Sequence, residues 1–178
     1  MEEMLDTFDI NGNFLGVKTR SFCHNKEANV YHKPVWIWII NPRKQILVQQ
    51  RASTKKEHPN LWDMPVAGHV DAGESLLSAC VRETKEELGL DVNQKDFEFL
   101  GEYLAAEFWE LGQVYLLKID AKEEEMTLQK EEVSQVKWLN YKEFEKLFYS
   151  SEFCGFKKDY KDWICKILKT KLKYAKGL

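Results

Sequence analysis

The stretch GHVDAGESLLSACVRETKEELGL, residues 68–90, decides how this chain folds. Its beginning, together with the residues just before it, is rich in glycine and small side chains, which is typical of a tight loop. The segment 75–88 that follows has the apolar spacing of a helix, and Gly89 is the residue type that ends helices. Three glutamates lie close together on this helix: Glu83, Glu86 and Glu87. The stretch therefore predicts a loop leading into a helix that carries three neighbouring carboxylates.

Helix geometry indicates what these carboxylates can do together. Successive side chains turn by about 100°, so Glu83 and Glu87 stand one above the other and Glu86 lies beside them. Another side of the helix is suited to face the core: Leu77, Cys80, Val81, Thr84 and Leu88. Like charges at this spacing weaken a helix by only a few tenths of a kcal/mol, so a solvated acidic face is one interpretation. A bound Mg²⁺ is the other, because this cation prefers carboxylates combined with phosphates and water.

The surrounding sequence predicts strands that alternate with helices. VWIWII, residues 35–40, is apolar on both faces and indicates a buried central strand. Further strands are predicted at 45–51, 97–109, 112–120 and 133–139, and a further helix at 141–148. A hairpin over about 5–20, around Asn11-Gly12, and a C-terminal helix over about 156–175 flank these elements. The segment 21–33 is predicted to be a loop. The order favours an α/β fold with a mixed sheet in a single domain spanning 1–178.

Composition excludes several classes of protein. The net charge of −3 gives no broad attraction to nucleic acid. The four cysteines form no C-x-x-C pair, which disfavours a zinc ribbon or a disulfide framework and fits reduced thiols. We find no signal peptide and no stretch near the roughly 20 apolar residues that span a bilayer. A cytoplasmic protein that binds neither nucleic acid nor membranes is therefore predicted.

The spacing within residues 68–90 resembles the Nudix box. Gly68 is followed by five residues and Glu74, then by seven residues and RETKEELGL at 82–90. Every charged and glycine position of that pattern is present. Thr84 is a departure, because the family usually has an aliphatic residue there, although a β-branched residue of this size should still pack.

The resemblance implies a fold, a chemistry and a role for each residue of the box. The implied fold is the Nudix α/β/α sandwich around a mixed sheet, and the implied activity is metal-assisted hydrolysis of a diphosphate. The resemblance makes catalytic metal ligands of Glu83, Glu86 and Glu87, one of which orients or deprotonates water, and adds the Gly68 carbonyl. Structural partners of the loop and helix are implied at three positions of the box: Glu74, Arg82 and Gly89. The implied cofactor is Mg²⁺, with Mn²⁺ as the alternative.

More specifically, the chain resembles the Nudix branch that contains isopentenyl-diphosphate delta-isomerase. The similar stretches include LVQQRASTKKEHPNLWD and AGH before the acidic loop. The isomerase carries an essential cysteine after a tryptophan, and alignment through Trp62 and Gly68 puts Ala67 at that position. Isomerisation needs an acid and a base across the carbon skeleton, so the missing cysteine favours hydrolysis on an isomerase-like scaffold.

Three histidines lie near places where the isomerase binds a metal: His24, His32 and His69. One interpretation is a second metal centre. The other is that they are retained scaffold residues with local hydrogen bonds. Where the isomerase supplies acidic ligands, this chain has Glu110 and Gln113, which is a partial match.

Arg51, Lys55 and His69 are the predicted substrate-binding residues. Relatives use basic residues in this region to hold the substrate diphosphate, and charge-assisted hydrogen bonds suit that role. The alternative for the first two is a solvated basic loop. Three aromatic residues could stack on an organic group, or simply pack in the core: Trp62, Phe108 and Trp109.

The C-terminal helix combines lysines on one side with aromatic residues on the other. A basic amphipathic helix can bind a membrane or a partner, but docking on its own domain is the favoured interpretation, with a homodimer contact next.

The sequence thus predicts a MutT-like, Mg²⁺-dependent pyrophosphatase that cleaves a diphosphate linkage in a nucleotide or small metabolite, such as an X-linked nucleoside diphosphate. Two alternatives stay open: an isopentenyl-diphosphate isomerase-like enzyme and a nucleotide-sensing module without turnover. The identity of the diphosphate substrate is not encoded in the box.

Overall fold

A computed structural model describes residues 2–25 and 28–174. The last residue of the helix predicted over about 156–175, and the remaining ends of the predicted domain 1–178, lie outside this range. The described strands are β1 (Met4–Phe8), β2 (Phe14–Thr19), β3 (Val35–Ile40), β4 (Gln45–Arg51), β5 (Trp62–Asp63), β6 (Val66–Gly68), β7 (Phe97–Ala105), β8 (Glu110–Lys118) and β9 (Val133–Asn140). The α-helices are α1 (Arg20–Cys23), α2 (Leu76–Leu88), α3 (Tyr141–Phe148) and α4 (Lys158–Tyr174).

Strand β3 lies at the centre of the main sheet because it has no polar face to give to solvent. All six of its residues are buried. It runs parallel to β8, with Val35 beside Gln113, and antiparallel to β4 and β6. Strand β7 continues the sheet beyond β8, while β5 and β9 pair with β4. The sheet is therefore mixed, as the sequence predicts.

Each face of the sheet is covered by helices. Alternate β3 residues point to opposite sides: Trp36 and Trp38 join the apolar cluster formed with α3 and α4, whereas Ile37 and Ile39 join the cluster formed with α2. This arrangement confirms the predicted α/β/α sandwich.

The N-terminal hairpin, β1 and β2, lies outside the main sheet. It is attached to the glycine-rich loop by a hydrogen bond from Ala72 N to Met4 O at 2.8 Å and by a β-bridge between Leu5 and Asp71. The loop that precedes α2 is therefore braced by the hairpin.

Helix α2 begins and ends where the sequence predicts. The Ser75 side chain accepts a hydrogen bond from Ser78 N, which caps the first turn. At the other end Gly89 adopts a left-handed conformation with φ +70°, and a Cβ there would lie 2.7 Å from the Thr127 Cβ. Only glycine satisfies both requirements.

Two local predictions are wrong. The strand predicted over 97–109 ends at Ala105, and a 3-10 turn, Ala106–Phe108, leads to Trp109 in the left-handed region at φ +58°. The segment 21–33, predicted as a loop, begins inside α1, because the Thr19 side chain accepts from Phe22 N and caps a helical turn. In both places a short hydrogen-bonded turn outweighs the broader hydrophobic pattern.

Candidate active site

The loop and helix of residues 68–90 meet at a very close contact. A Cβ added to Gly68 would lie 1.9 Å from the Glu83 carboxyl carbon. Any other residue type at this position would require the Glu83 carboxylate to shift. The backbone at position 68 therefore lies directly against a half-buried carboxylate, which brings carbonyl and carboxylate oxygens to the same place.

Arg82 holds the loop and the helix together. Its Nε and Nη2 donate to the two carboxylate oxygens of Glu74 at 3.1 and 2.8 Å, a bidentate arrangement that gives strong and directional hydrogen bonds. Nη2 also donates to the His69 carbonyl at 2.9 Å. Burial disfavours ionisation of Glu74, yet the hydrogen bonds from Arg82 and from Asp71 N, together with the charge of Arg82, outweigh it and lower the pKa of this carboxyl. The guanidinium thus fixes the path of the chain just before the helix.

Arg82 also orients two of the predicted ligands. Its Nη1 donates to Glu83 at 2.7 Å and to Glu86 at 3.3 Å. Glu86 is exposed, whereas Glu83 is largely covered. The positive charge of Arg82 thus compensates part of the negative charge of the three glutamates, and Glu86 stays accessible from solvent.

Glu87 is the most deeply buried carboxylate of the cluster. It accepts hydrogen bonds from Gln49 Nε2 at 3.0 Å and from Ala67 N at 3.3 Å. Burial, followed by the neighbouring charge of Glu83, raises the pKa of Glu87 to about 8. Burial also raises the pKa of Glu83, although Arg82 opposes it.

These properties fit a divalent cation. Two buried carboxylates side by side favour protonation unless positive charge lies near them, and a hard cation supplies that charge through oxygen ligands. The donor set is the one that the sequence predicts, namely the Gly68 backbone with Glu83, Glu86 and Glu87.

The cluster opens into a cavity of about 480 Å³. This volume is in the range of small-molecule sites. The predicted substrate-binding residues all line it: Arg51, Lys55 and His69. The structure therefore brings the predicted basic residues and the carboxylate cluster to one cavity.

Both basic side chains already have acidic partners. Arg51 Nη1 lies 3.1 Å from Asp63 Oδ2, and Arg51 Nε donates to the Glu57 carbonyl. Burial raises the pKa of Asp63, despite the nearby charge of Arg51. Lys55 forms an ion pair with Glu132. A phosphate group would have to share or replace these partners.

The three histidines form a second cluster beside the carboxylates. The Nε2 atoms of His24 and His69 are 3.2 Å apart, and one nitrogen from each of the three rings can be chosen so that all lie within 4.8 Å of one another. His32 is almost completely buried, and neither of its ring nitrogens has a hydrogen-bond partner among the described residues. Its Nε2 lies 3.5 Å from Glu110 Oε1.

The surroundings of one histidine of this cluster, His24, favour its neutral form. Burial, and then the neighbouring rings of His32 and His69, lower the pKa of His24. His69 Nδ1 lies 3.2 Å from Glu3, and this contact lowers the pKa of Glu3. Imidazole nitrogens are common metal ligands, so this set of three rings fits a transition-metal ion.

Sequence reasoning missed several residues of the site. Gln49 and Asp63 looked like ordinary polar residues of β4 and β5, and Glu132 lay in a charged loop. Trp36 sits in a run that reads as core, yet it lines the cavity. In the sequence, only Gln49 carries a signal of this role, because it is a polar residue that directly follows the apolar part of a predicted strand.

The predicted stacking residues are separated by the fold. Phe108 lines the cavity. Trp109 packs against Tyr31 with ring centroids 5.4 Å apart, and Trp62 packs against the cluster under α3 and α4.

Among the described residues, no helix combines the length and apolar character needed to cross a membrane.

Comparisons with known proteins agree on one family. The model of the NUDIX domain matches residues 30–155. Nudix hydrolase 3 of Arabidopsis thaliana is 37% identical over 158 residues, which are 80% of this chain and 20% of that protein. An isopentenyl-diphosphate delta-isomerase of Corynebacterium glutamicum is 29% identical over 145 residues, which are 76% of each chain. The chain therefore spans only a fifth of the plant relative.

The fold is shared with solved structures. A crystal structure of a Deinococcus radiodurans protein superposes with a TM-score of 0.72 at 21% identity, and the match covers 94% of this chain and 98% of the other. At this identity the similarity concerns the fold alone.

Proposed function

This chain belongs to the Nudix hydrolase family, and from that we propose that it is a Mg²⁺-dependent enzyme that hydrolyses a diphosphate linkage in a nucleotide or small metabolite. The observation that carries the proposal is the contact of Gly68 with Glu83 beside the buried carboxylate of Glu87. A cytoplasmic location and a homodimer remain further predictions.

The residues divide the chemistry among themselves. A bound divalent cation supplies charge that neutralises diphosphate oxygens and favours ionisation of the attacking water. Glu83, Glu86 and Glu87 would hold the cation together with the Gly68 carbonyl, and one of these carboxylates would orient the water or accept its proton. Water oxygen attacks phosphorus, the bridging P–O bond breaks, and the leaving phosphate takes the electron pair.

Arg51 and Lys55 would bind the diphosphate on the other side of the cavity. Their present partners, Asp63 and Glu132, keep them in place before substrate arrives. A phosphate oxygen would share these cations with their carboxylate partners, because full displacement of Asp63 would leave a buried carboxylate unpaired.

We further propose that the histidine cluster holds a second metal ion with Glu110. The unpaired nitrogens of His32 support this proposal. The histidine cluster and the carboxylate cluster use different side chains, so the two ions can be tested separately by metal binding.

The activity test uses purified protein, Mg²⁺ or Mn²⁺, and a broad panel of diphosphates. We expect phosphate-containing products that disappear in Glu83→Gln and Glu87→Gln. No product from any substrate would contradict the proposal. Tight nucleotide binding without turnover, unaffected by Glu87→Gln, would instead favour a sensing module.

The isomerase alternative is supported by similarity to the Corynebacterium glutamicum isomerase, and it is disfavoured by Ala67. The same assay with isopentenyl diphosphate decides between them. Formation of dimethylallyl diphosphate would identify an isomerase.

A further inference from the structure

We propose that Trp36 and Phe156 form a specificity wall that contacts a flat, unsaturated group attached to the diphosphate. This inference rests on the proposed function, because it concerns the substrate of the same cavity. Both side chains line that cavity, and neither belongs to the carboxylate cluster or the histidine cluster.

Trp36 is held rigidly by the strand beside it. Its indole lies over Gly112 of β8, where an added Cβ would come within 2.7 Å of the ring. The side chain is only 4% exposed, so the small remaining surface belongs to a well-packed ring. A rigid aromatic side chain provides contact area at a low entropy cost.

Phe156 reaches the cavity from the connection between α3 and α4. Its ring packs edge-on against Trp36, with centroids 5.7 Å apart, and Tyr160 supports both rings from behind. The connection is fixed by a hydrogen bond from Cys154 N to Trp62 O at 2.8 Å. Phe156 lies just beyond the residues that match the family domain and Trp36 lies within them, and neither belongs to the Nudix box at 68–90.

Ala67 links the wall to the carboxylates. It is the cross-strand neighbour of Trp36 in the β3–β6 pair, and its amide is 3.3 Å from Glu87 Oε1. Directly opposed residues of paired strands lie about 5 Å apart. Because the Ala67 side chain is small, the space between Glu87 and Trp36 stays open for the atoms next to the diphosphate.

The chemistry of the wall selects against sugars. Besides Trp36, Phe156 and Ala67, the apolar residues that line the cavity are Pro34, Met64 and Phe108. Aromatic faces favour other π systems and apolar groups, whereas hydroxyl groups without hydrogen-bond partners lose free energy on burial. A nucleobase and an unsaturated hydrocarbon chain both present a π system to these residues, whereas a bare sugar presents hydroxyl groups.

Two matched substrate pairs test this wall. The first compares adenosine diphosphate with ribose 5-diphosphate, which lacks the base. The second compares an allylic five-carbon diphosphate with its saturated analogue. We expect wild-type kcat/KM to favour the flat-group member of at least one pair by about tenfold. The favoured pair identifies the source of the flat group.

The variants separate recognition from folding. Phe156→Leu keeps the site apolar but removes the flat ring, and it should reduce that ratio about fivefold to tenfold, mainly through KM. Phe97→Leu is the matched control, because Phe97 is a buried phenylalanine of the apolar cluster on the opposite face of the sheet and does not line the cavity, and its ratio should stay at the wild-type value. Ala67→Leu fills the passage without removing a core ring, so it should also reduce the ratio.

The outcomes separate this inference from the proposed function. Hydrolysis without preference in either pair, or a ratio that is the same in Phe156→Leu and wild type, would overturn the wall. If no diphosphate is hydrolysed, the same ratios are measured as dissociation constants with Mg²⁺ present. Retained preference in binding would then support the wall while contradicting hydrolysis, and absent preference would overturn both.

Discussion

The carboxylate cluster and the histidine cluster meet in one site, but they are built in opposite ways. Glu83, Glu86 and Glu87 come from one helix, whose ends are fixed by Ser75 and Gly89. The histidines come from three separate segments: the end of α1, the start of β3 and the end of β6. The first cluster is a local property of sequence, whereas the second depends on the assembled sheet.

The clusters also differ in how their polar atoms are satisfied. Two of the carboxylates interact with Arg82, and Glu87 accepts from Gln49 and Ala67. His32, in contrast, is buried with both ring nitrogens unpaired. A buried polar group without a partner is costly. The comparison indicates that hydrogen bonds hold the carboxylates in place before a cation binds, while the histidine cluster depends more on its ligand.

The largest expected effect is on catalysis by the carboxylate cluster. Glu87→Gln removes a charged group from the proposed metal site, and we expect kcat/KM to fall at least about 100-fold. Steady-state hydrolysis measures this loss, and Glu124→Gln in an exposed turn is the matched control. Activity within a factor of two of wild type would remove Glu87 from the catalytic site.

The second prediction concerns the stability of metal-free protein. Because the folded-state pKa of Glu87 is raised to about 8 from its ordinary value of 4.5, its contribution to stability is present below pH 4.5 and is lost as pH rises through about 8. In EDTA, Glu87→Gln should therefore be more stable than wild type at pH 9, by roughly 5 kcal/mol.

Urea unfolding at pH 5 and pH 9 measures this difference. Comparing the variant with wild type at each pH cancels the other titrating groups, including His24, whose lowered pKa acts in the opposite direction. Equal differences at the two pH values would contradict the assignment. Added Mg²⁺ should stabilise wild type more than the variant, because only wild type keeps the full ligand set.

The contact between loop and helix gives the third prediction. Gly68→Ala forces a methyl group against Glu83, and we expect a loss of about 1–3 kcal/mol in unfolding free energy. Gly155→Ala is the control, because no atom would lie within 4 Å of its added Cβ. Thermal unfolding compares the two. An equal, small effect of both variants would mean that the loop moves easily away from the helix.

The smallest expected effect concerns the histidine cluster. His32→Asn should weaken binding of Co²⁺ or Mn²⁺ at this site about 10-fold to 100-fold, with little change in Mg²⁺ binding at the carboxylates. His58→Asn is the matched control, because His58 lines the cavity outside the cluster. Equilibrium dialysis measures the stoichiometry. One metal ion per chain in both wild type and His32→Asn would argue against a second centre.

Local patterns explain why much of the fold was predictable. Strand β3, strand β4 and helix α3 occupy the residues that their hydrophobic patterns predict. Helix α2 was predictable because its cap residues and its apolar spacing agree. The short strands β5 and β6 were not, since two or three residues carry no detectable period.

The site was predictable to the extent that its residues are neighbours in sequence. The box places its glutamates on one helical face, whatever the rest of the chain does. The partners of Arg51 and Lys55, in contrast, are Asp63 and Glu132, and only the β4 pairings bring these residues together. The sequence did not identify Trp36 as a cavity residue. Strand β3 is apolar on both faces, so its hydrophobic pattern does not distinguish a core residue from one that faces a ligand.

The central position of β3 has a consequence for folding. Val35–Ile40 can be fully buried only after β8, far along the chain, has paired with it. Until then VWIWII is an uncharged, proline-free segment of high β-propensity, which is able to pair with the same segment of another molecule. Pairing over such a sequence distance is slow. The yield of refolded protein should therefore fall as protein concentration rises.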